Sequence, residues 1–517
     1  MLKKINVPLF AVGFLLVMAF FIPAAFFPQA TTDVINAIYA YMTRDLAWVS
    51  FAGYLFFLLL PIYFCFSKYG RIRLGGRDAK PEYTNFEYIS MNVCSAIAAG
   101  VITFGFTEWM YYVTATPFHV EPGSIRAYEY ASAYGMFHWG ITMWPLYIMP
   151  GIAIGYMYYN KNSGAFTISA AMGDVTKKHR WLGWLLDALM AFHMASGMCT
   201  TVGLGTPVIA QLFASLTGME VTFALKMSVI GVFMVFLAIF ATTPIKKGMA
   251  LISKFNIYLG IVLLALILLL GPTNFILNTT WMAAGTNISN LVDMSFFTDP
   301  LGDGVLSGSW TVFYIVWYLG LAYKTGIWIA KTSKGRTFKE IFWAVAILTA
   351  ITCWATFGIL GNFALDLEYN QGIPYSTMIN EIGQSGVIAD ILSHLPLPEL
   401  FFIGFMLLIF LNIATSATSG VASGALFTCR NLGKDEEPNA MFKFIWIFVC
   451  FAIPVGFLLI ENATGIMALD IIKNFTTIMS LPFFFAGVVL VIQFLRVFRA
   501  DEKAGLLDFE YDVKKNK

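Results

Sequence analysis

Residues Trp310–Ala330 read WTVFYIVWYLGLAYKTGIWIA, twenty-one residues of which only Lys324 carries a formal charge. A run of about 20 mostly apolar residues is what a helix needs to cross roughly 30 Å of hydrocarbon. Within it Trp310, Tyr314, Trp317 and Tyr318 recur at i, i+4, i+7 and i+8, which places four large aromatic side chains on one stripe of a helix. Lys324 sits in the middle of the run, where an ammonium is costly unless it faces a cavity or a partner, so it is a functional candidate. If the helix begins several residues later, the lysine merely snorkels to the interface.

Similar runs recur along the chain. Their centres fall near residues 17, 56, 100, 145, 200, 232, 260, 320, 350, 412, 450 and 486, which predicts roughly twelve spans and an all-α integral membrane protein. Composition agrees: 58% of residues are hydrophobic and 12% charged, with a mean hydropathy of +0.73, whereas soluble domains carry roughly 25% charged residues. A net charge of +2 excludes a nucleic-acid-binding balance. The basic residues are instead parcelled into alternate connections: Lys68 to Lys80, Lys161 to Arg180, Lys246 to Lys254, Lys331 to Lys339 and Arg430 to Lys443. The connections Pro272–Gly308 and Ala364–Pro396 hold acids and no Lys or Arg. The positive-inside rule then makes both termini cytoplasmic.

The N-terminal apolar run lacks a clean cleavage site and reads as a first transmembrane helix rather than a signal peptide. The six cysteines show no CxxC or CxxH spacing and read as free thiols in helices. Trp281–Phe296 is too polar to span, and is either an amphipathic surface helix or an ordered loop. With no sizeable soluble domain, the chemistry is expected inside the membrane, which counts against a sensor. His138 and His193 have no carboxylate at triad or ligand spacing and read as packed or hydrogen-bonded, which leaves no catalytic constellation for an enzyme.

Three segments carry residues out of place in lipid. Cys94–Tyr112, CSAIAAGVITFGFTEWMYY, combines Ala96, Ala98, Gly100 and Gly105 with the carboxylate of Glu108; this is either close helix packing or an unwound helix whose amides bind an anionic group. Asn412–Gly424, NIATSATSGVASG, crowds Thr415, Ser416, Thr418 and Ser419 on one stretch; such hydroxyls either bond back to their own backbone or offer oxygen ligands to sodium. Phe137–Tyr147, FHWGITMWPLY, sets Trp139, Trp144 and Tyr147 on one side of a helix. Aromatic faces converging on a cavity suit a quaternary ammonium, at about 0.5–2 kcal/mol per ring.

At these residues the chain resembles the betaine/carnitine/choline transporter (BCCT) family. Gly308–Glu340 looks like the family signature, a tryptophan-rich eighth helix followed by a basic ARxSRGRT-type loop, here AKTSKGRT. Supporting matches are FHWG with its following Trp and Tyr, GLGTP at Gly203–Pro207, ISKFN at Ile252–Asn256, and TSATS followed by CRNLGKDEEP, in family order over nearly the whole chain.

The resemblance implies twelve helices in a bacterial inner or plasma membrane, a homotrimer, and a substrate class of glycine betaine, choline, carnitine and similar quaternary ammonium compounds. Residues 1–86 would hold two additional helices and a basic loop, 87–271 the first inverted five-helix repeat, 272–308 an external loop, 309–498 the second repeat and 499–517 a short tail. The aromatic box maps onto Trp139, Trp144, Tyr147, Trp317 and Tyr318. The glycine-rich motif that holds the substrate carboxylate falls on Ala96, Ala98 and Gly100, with two glycines replaced by alanine as in the carnitine/butyrobetaine exchangers. A sodium site maps onto Thr415 and Ser416, so sodium is the expected coupling ion, with no other cofactor. The exchangers' arginine falls on Asn256, a departure that favours symport over exchange. A second sodium site maps onto Met194, Met198 and Lys324, which cannot bind the ion, so Lys324 is expected to stand in for it. The eighth helix also departs from the family at Ile315, Tyr318 and Leu321.

Overall fold

The computed structural model describes residues 5–93, 99–242, 245–429 and 438–507, and within these every side chain except those of 191, 194–199, 240–242, 245–251, 253, 419, 423, 426 and 427. Among the described residues the regular structure is helical, with two isolated bridge pairs, Ile5–Cys429 and Arg73–Thr337, and no strand. The chain opens with α1 (Val7–Phe26), α2 (Pro28–Arg44) and α3 (Ala47–Phe66). Pro28 starts α2 at a position where its missing N–H costs nothing. Next come α4 (Asn85–Val93), α5 (Ala99–Thr114), α6 (Ile125–His138) and α7 (Ile148–Tyr159). Two short helices, α8 (Ile168–Ala171) and α9 (Asp174–Lys178), lead into the long α10 (Arg180–Thr217), then α11 (Phe223–Thr242) and α12 (Ile245–Leu270).

The bend between Lys254–Leu270 and α13 (Thr273–Ser289) is 111°, where Gly271 and Pro272 interrupt the helix. After α14 (Leu291–Phe296), a π-helical turn at Ser307–Val312 leads into α15 (Phe313–Thr332). Then α16 (Phe338–Phe342) continues through a second π-helical stretch into α17 (Thr349–Tyr369), followed by α18 (Tyr375–Ser393), α19 (Pro398–Phe427), α20 (Ala440–Thr464) and α21 (Ala468–Lys503).

Among the described residues seven helical segments are long and apolar enough to cross a membrane, and the bent pair around Gly271 adds an eighth if it is one span. Most expected centres fall on helices, but the one near 145 falls on the turn between α6 and α7. Large apolar side chains lie exposed on the outside, among them Leu15 and Ile22 of α1, Val232 and Val235 of α11, and Ile261 and Leu269 of α12. A surface of that kind is stable against lipid and not against water, which makes this a multi-pass membrane protein. Two connections contain more than loops: α13 and α14 occupy the first acidic one and α18 the second. Trp281–Phe296 is thus helical, in two pieces broken at Asn290. The helix α2 has no counterpart in the hydropathy reading, because its apolar positions are diluted by Gln29, Thr31, Asp33 and Asn36.

The helix α15 lies between α7 and α21 and contacts both. Small residues make these approaches possible, as expected where lipid supplies no hydrophobic drive and contact depends on close packing. A Cβ on Gly326 would fall 3.1 Å from the Gly151 backbone N and 3.2 Å from the Pro150 carbonyl carbon, and one on Gly320 would fall 2.1 Å from Ser480 Oγ. Gly320→Ala should therefore destabilise the detergent-purified protein by about 1–3 kcal/mol through overpacking. Gly231→Ala, with nothing within 4 Å of the added carbon, is the control. Equal thermal unfolding midpoints for the two variants would show that α15 and α21 are not held at this separation.

Candidate functional site

The segment expected to be one helix through Phe137–Tyr147 is broken. The helix α6 ends at His138, residues 139–143 form a turn, and Trp144–Tyr147 form a single 3-10 turn before α7. Gly140 is needed there, since a Cβ would lie 2.1 Å from the Met136 carbonyl oxygen and 2.5 Å from Trp354 Nε1. Side chains take up the carbonyls that the break releases. Trp354 Nε1 donates to Met136 O at 2.7 Å, Thr142 Oγ1 to Phe137 O at 2.7 Å and Trp144 Nε1 to Trp139 O at 3.0 Å. An interruption so satisfied is tolerated at membrane depth. Trp139, Trp144 and Tyr147 therefore converge through a break and not along one helical face.

The five aromatic residues of the expected box come together. Trp139 lies 5.6 Å from Trp317 and 6.0 Å from Tyr318, between ring centroids. Trp144 is 5.6 Å from Tyr147 and 5.8 Å from Tyr318, both edge-on. Tyr147 stacks on Tyr318 at 5.1 Å, and Trp317 meets Tyr318 at 5.4 Å. Edge-to-face contact is the preferred geometry of such rings and fixes their orientation. The stripe expected on Trp310–Tyr318 is present, with Trp310 to Tyr314 at 6.2 Å and Tyr314 to Tyr318 at 6.4 Å. Tyr318 Oη is buried with no hydrogen-bond partner among the described residues.

Beside this cage lies Glu108 of α5, with no exposed surface. Tyr112 Oη donates to its Oε1 at 2.6 Å; Tyr314 Oη and Trp139 Nε1 donate to its Oε2 at 2.6 and 2.8 Å. His138 Nδ1 lies 3.3 Å from Oε1 and 2.8 Å from Tyr112 Oη, and its Nε2 lies 3.1 Å from Thr311 Oγ1. His138 thus does have a carboxylate partner. Spacing along the chain concealed it, because the acid sits thirty residues away on a neighbouring helix. The order Thr311, His138, Glu108 has the connectivity of a hydrolytic triad, but all three are buried and the carboxylate is shared with two tyrosines and a tryptophan. Tyr112, Tyr314 and Thr311 were not legible as partners of Glu108 from sequence, although Tyr112 follows it by one helical turn.

The other candidates whose side chains are described lie on α5, α12, α15 and α19. Gly100 lies near the start of α5, half-buried with open space where a Cβ would go; Ala96 and Ala98 lie outside the described residues, as do the side chains of Met194 and Met198. Thr415 and Ser416 are half-buried on α19, and Thr415 Oγ1 donates to the Leu411 and Asn412 carbonyls at 3.0 Å each. Lys324 lies within α15, half-buried, with no carboxylate at ion-pair distance among the described residues. Asn256 is buried with its carbonyl oxygen unpartnered among the described residues.

Replacing Glu108 by Ala removes the acceptor that three donors share and leaves a buried cavity. Tyr112 Oη keeps only His138 Nδ1 at 2.8 Å, Trp139 Nε1 keeps only Tyr314 Oη at 3.0 Å, and Tyr314 Oη is stranded. A stranded group costs about 1–3 kcal/mol and the cavity about 2–5 kcal/mol. Glu108→Ala should lower stability by about 3 kcal/mol or more, and Tyr314→Phe by about 1 kcal/mol. Thermal unfolding of the purified variants measures the difference, and small equal losses would contradict the network.

The family model for betaine/carnitine/choline transporters matches residues 8–503. A carnitine transporter of Acinetobacter baumannii is 31% identical over 449 residues, covering 85% of this chain and 79% of that protein. The uncharacterized transporter YeaV of Escherichia coli is 28% identical over 449 residues, covering 86% of this chain and 91% of its own length. Helical membrane architecture, the aromatic cage and a match over nearly the whole chain lead to one conclusion: the protein belongs to the betaine/carnitine/choline transporter family.

Proposed function

We propose that the chain imports a betaine-type quaternary ammonium compound by sodium-coupled secondary transport, with the trimethylammonium group held among Trp139, Trp144, Tyr147, Trp317 and Tyr318. The observation that carries the reading is the convergence of Trp139, Trp144, Tyr147 and Trp317 on Tyr318, each at 5.1 to 6.0 Å from it, beside a buried carboxylate. A quaternary ammonium cannot donate a hydrogen bond, so ring faces and a nearby negative charge are the means of recognising it. Glu108 contributes that charge through Trp139, whose indole N–H it polarises. A carnitine transporter among the relatives favours carnitine or a close analogue as the substrate.

Sodium in this proposal is held at Thr415 and Ser416. Thr415 gives its proton to its own helix and keeps lone pairs for a cation. Lys324 supplies a fixed positive charge where a second ion would otherwise be needed, so one sodium accompanies each substrate. Uptake into proteoliposomes under an imposed sodium gradient should be sodium-dependent with a Hill coefficient near one. A coefficient near two, or uptake that needs only substrate preloaded inside, would replace symport by a second cation site or by exchange.

Trp144→Leu removes one ring from the cage and should weaken binding by roughly 2- to 30-fold, the equivalent of 0.5–2 kcal/mol. Tryptophan fluorescence titration with carnitine, glycine betaine and choline measures this, and unchanged affinity for all three would place the ammonium elsewhere.

A further inference from the structure

A buried ammonium lies against the aromatic stripe, and the cage does not use it. Lys473 of α21 is 5% exposed, and its Nζ stands 3.9 Å above the centre of the Trp310 ring and 5.8 Å from that of Phe313. Trp310 is the next ring beyond Tyr314 along the stripe, and Phe104, at 6.1 Å from each, touches both Trp310 and Trp139. That route passes two rings, but Phe313 itself stacks on Trp317 of the cage at 5.9 Å, so through Phe313 the lysine is one ring removed from the cage.

One face of the ammonium is satisfied by the indole, but its N–H groups have no hydrogen-bond acceptor or ion-pair partner among the described residues. The two nearest acids do not supply one. Asp470, a turn earlier on the same helix, is exposed and beyond ion-pair distance. Glu108 is not at ion-pair distance, and its two oxygens are already taken by Tyr112, Tyr314, Trp139 and His138. A desolvated ammonium with free donors is costly, and an incoming anionic group would offset that cost. The same charge repels a bare quaternary cation that approaches along the stripe.

We propose that Lys473, held by Trp310, receives the carboxylate of a zwitterionic trimethylammonium substrate and makes the transporter select zwitterions over cations that lack an anionic group. This rests on the proposed transport of quaternary ammonium compounds. Within it, the cage reads the methylated nitrogen and Lys473 reads the other end of the molecule. Lys473 is thereby a specificity-determining residue of the site.

The test is a two-by-two comparison on the purified full-length chain, with binding followed by isothermal titration calorimetry. Carnitine is compared with carnitine methyl ester, which keeps the trimethylammonium and removes the negative charge, in the wild type and in K473M. The wild type should bind carnitine about tenfold or more tighter than the ester, the scale of one charge-assisted hydrogen bond. In K473M the preference should fall below about threefold while ester affinity holds or improves, and K473R should keep most of the preference. Retained preference in K473M, or parallel loss for both ligands, would overturn the inference. Should K473M not fold, K473Q carries the same expectation, and a wild type that binds both ligands equally overturns the inference with no variant at all. A wild type that binds neither overturns the proposed function itself.

Discussion

A carboxylate with no exposed surface must be fully hydrogen-bonded or neutral, and in this protein Glu108 meets the condition by drawing three helices together. Its two oxygens accept from Tyr112 on its own helix, from Trp139 at the end of α6 and from Tyr314 on α15. In a low-dielectric interior each such bond is strong and each missing partner is expensive. The position of the broken helix and the rotation of α15 are thus coupled to one side chain. Moving either element would strand a donor or a lone pair.

The break after His138 and the π-helical turn at Ser307–Val312 are the two irregularities that make this coupling geometrically possible. The first brings Trp139, Trp144 and Tyr147 out of helical register and aims them at Tyr318. The second sets Thr311 opposite His138 and Trp310 beneath Lys473. Irregular turns inside helices are common at functional sites because they re-aim side chains that a regular helix would hold elsewhere. Tyr39 of α2 secures the π turn by donating to the Ser309 carbonyl at 3.2 Å, so α2 also bears on the start of the aromatic stripe.

What could be read from the sequence follows from which forces act locally. Lipid imposes long apolar runs, so most of the helices that cross were legible from hydropathy alone. The stripe Trp310, Tyr314, Trp317 and Tyr318 was legible because it lies largely on one regular helix. The break within Phe137–Tyr147 was not, since it is fitted to a contact between Gly140 and Trp354 of α17, which is distant in sequence. The Glu108 partners were hidden for the same reason: Tyr314 and His138 reach it across the bundle. Lys473 lay near the end of an expected span, where a lysine ordinarily snorkels to water, and only the packing of α21 against α15 reveals that it turns inward onto Trp310.

The central claim is that the cage recognises positive charge and not merely bulk. It is tested most directly by titrating the wild-type protein, through its tryptophan fluorescence, with glycine betaine and with its uncharged-headgroup isostere, in which a tert-butyl group replaces the trimethylammonium. The two ligands have nearly the same shape and both carry a carboxylate, so Lys473 cannot discriminate between them. Saturable quenching by glycine betaine with at least tenfold weaker binding of the tert-butyl compound is the predicted result. Equal binding of the two would contradict recognition by ring faces and the Glu108 charge.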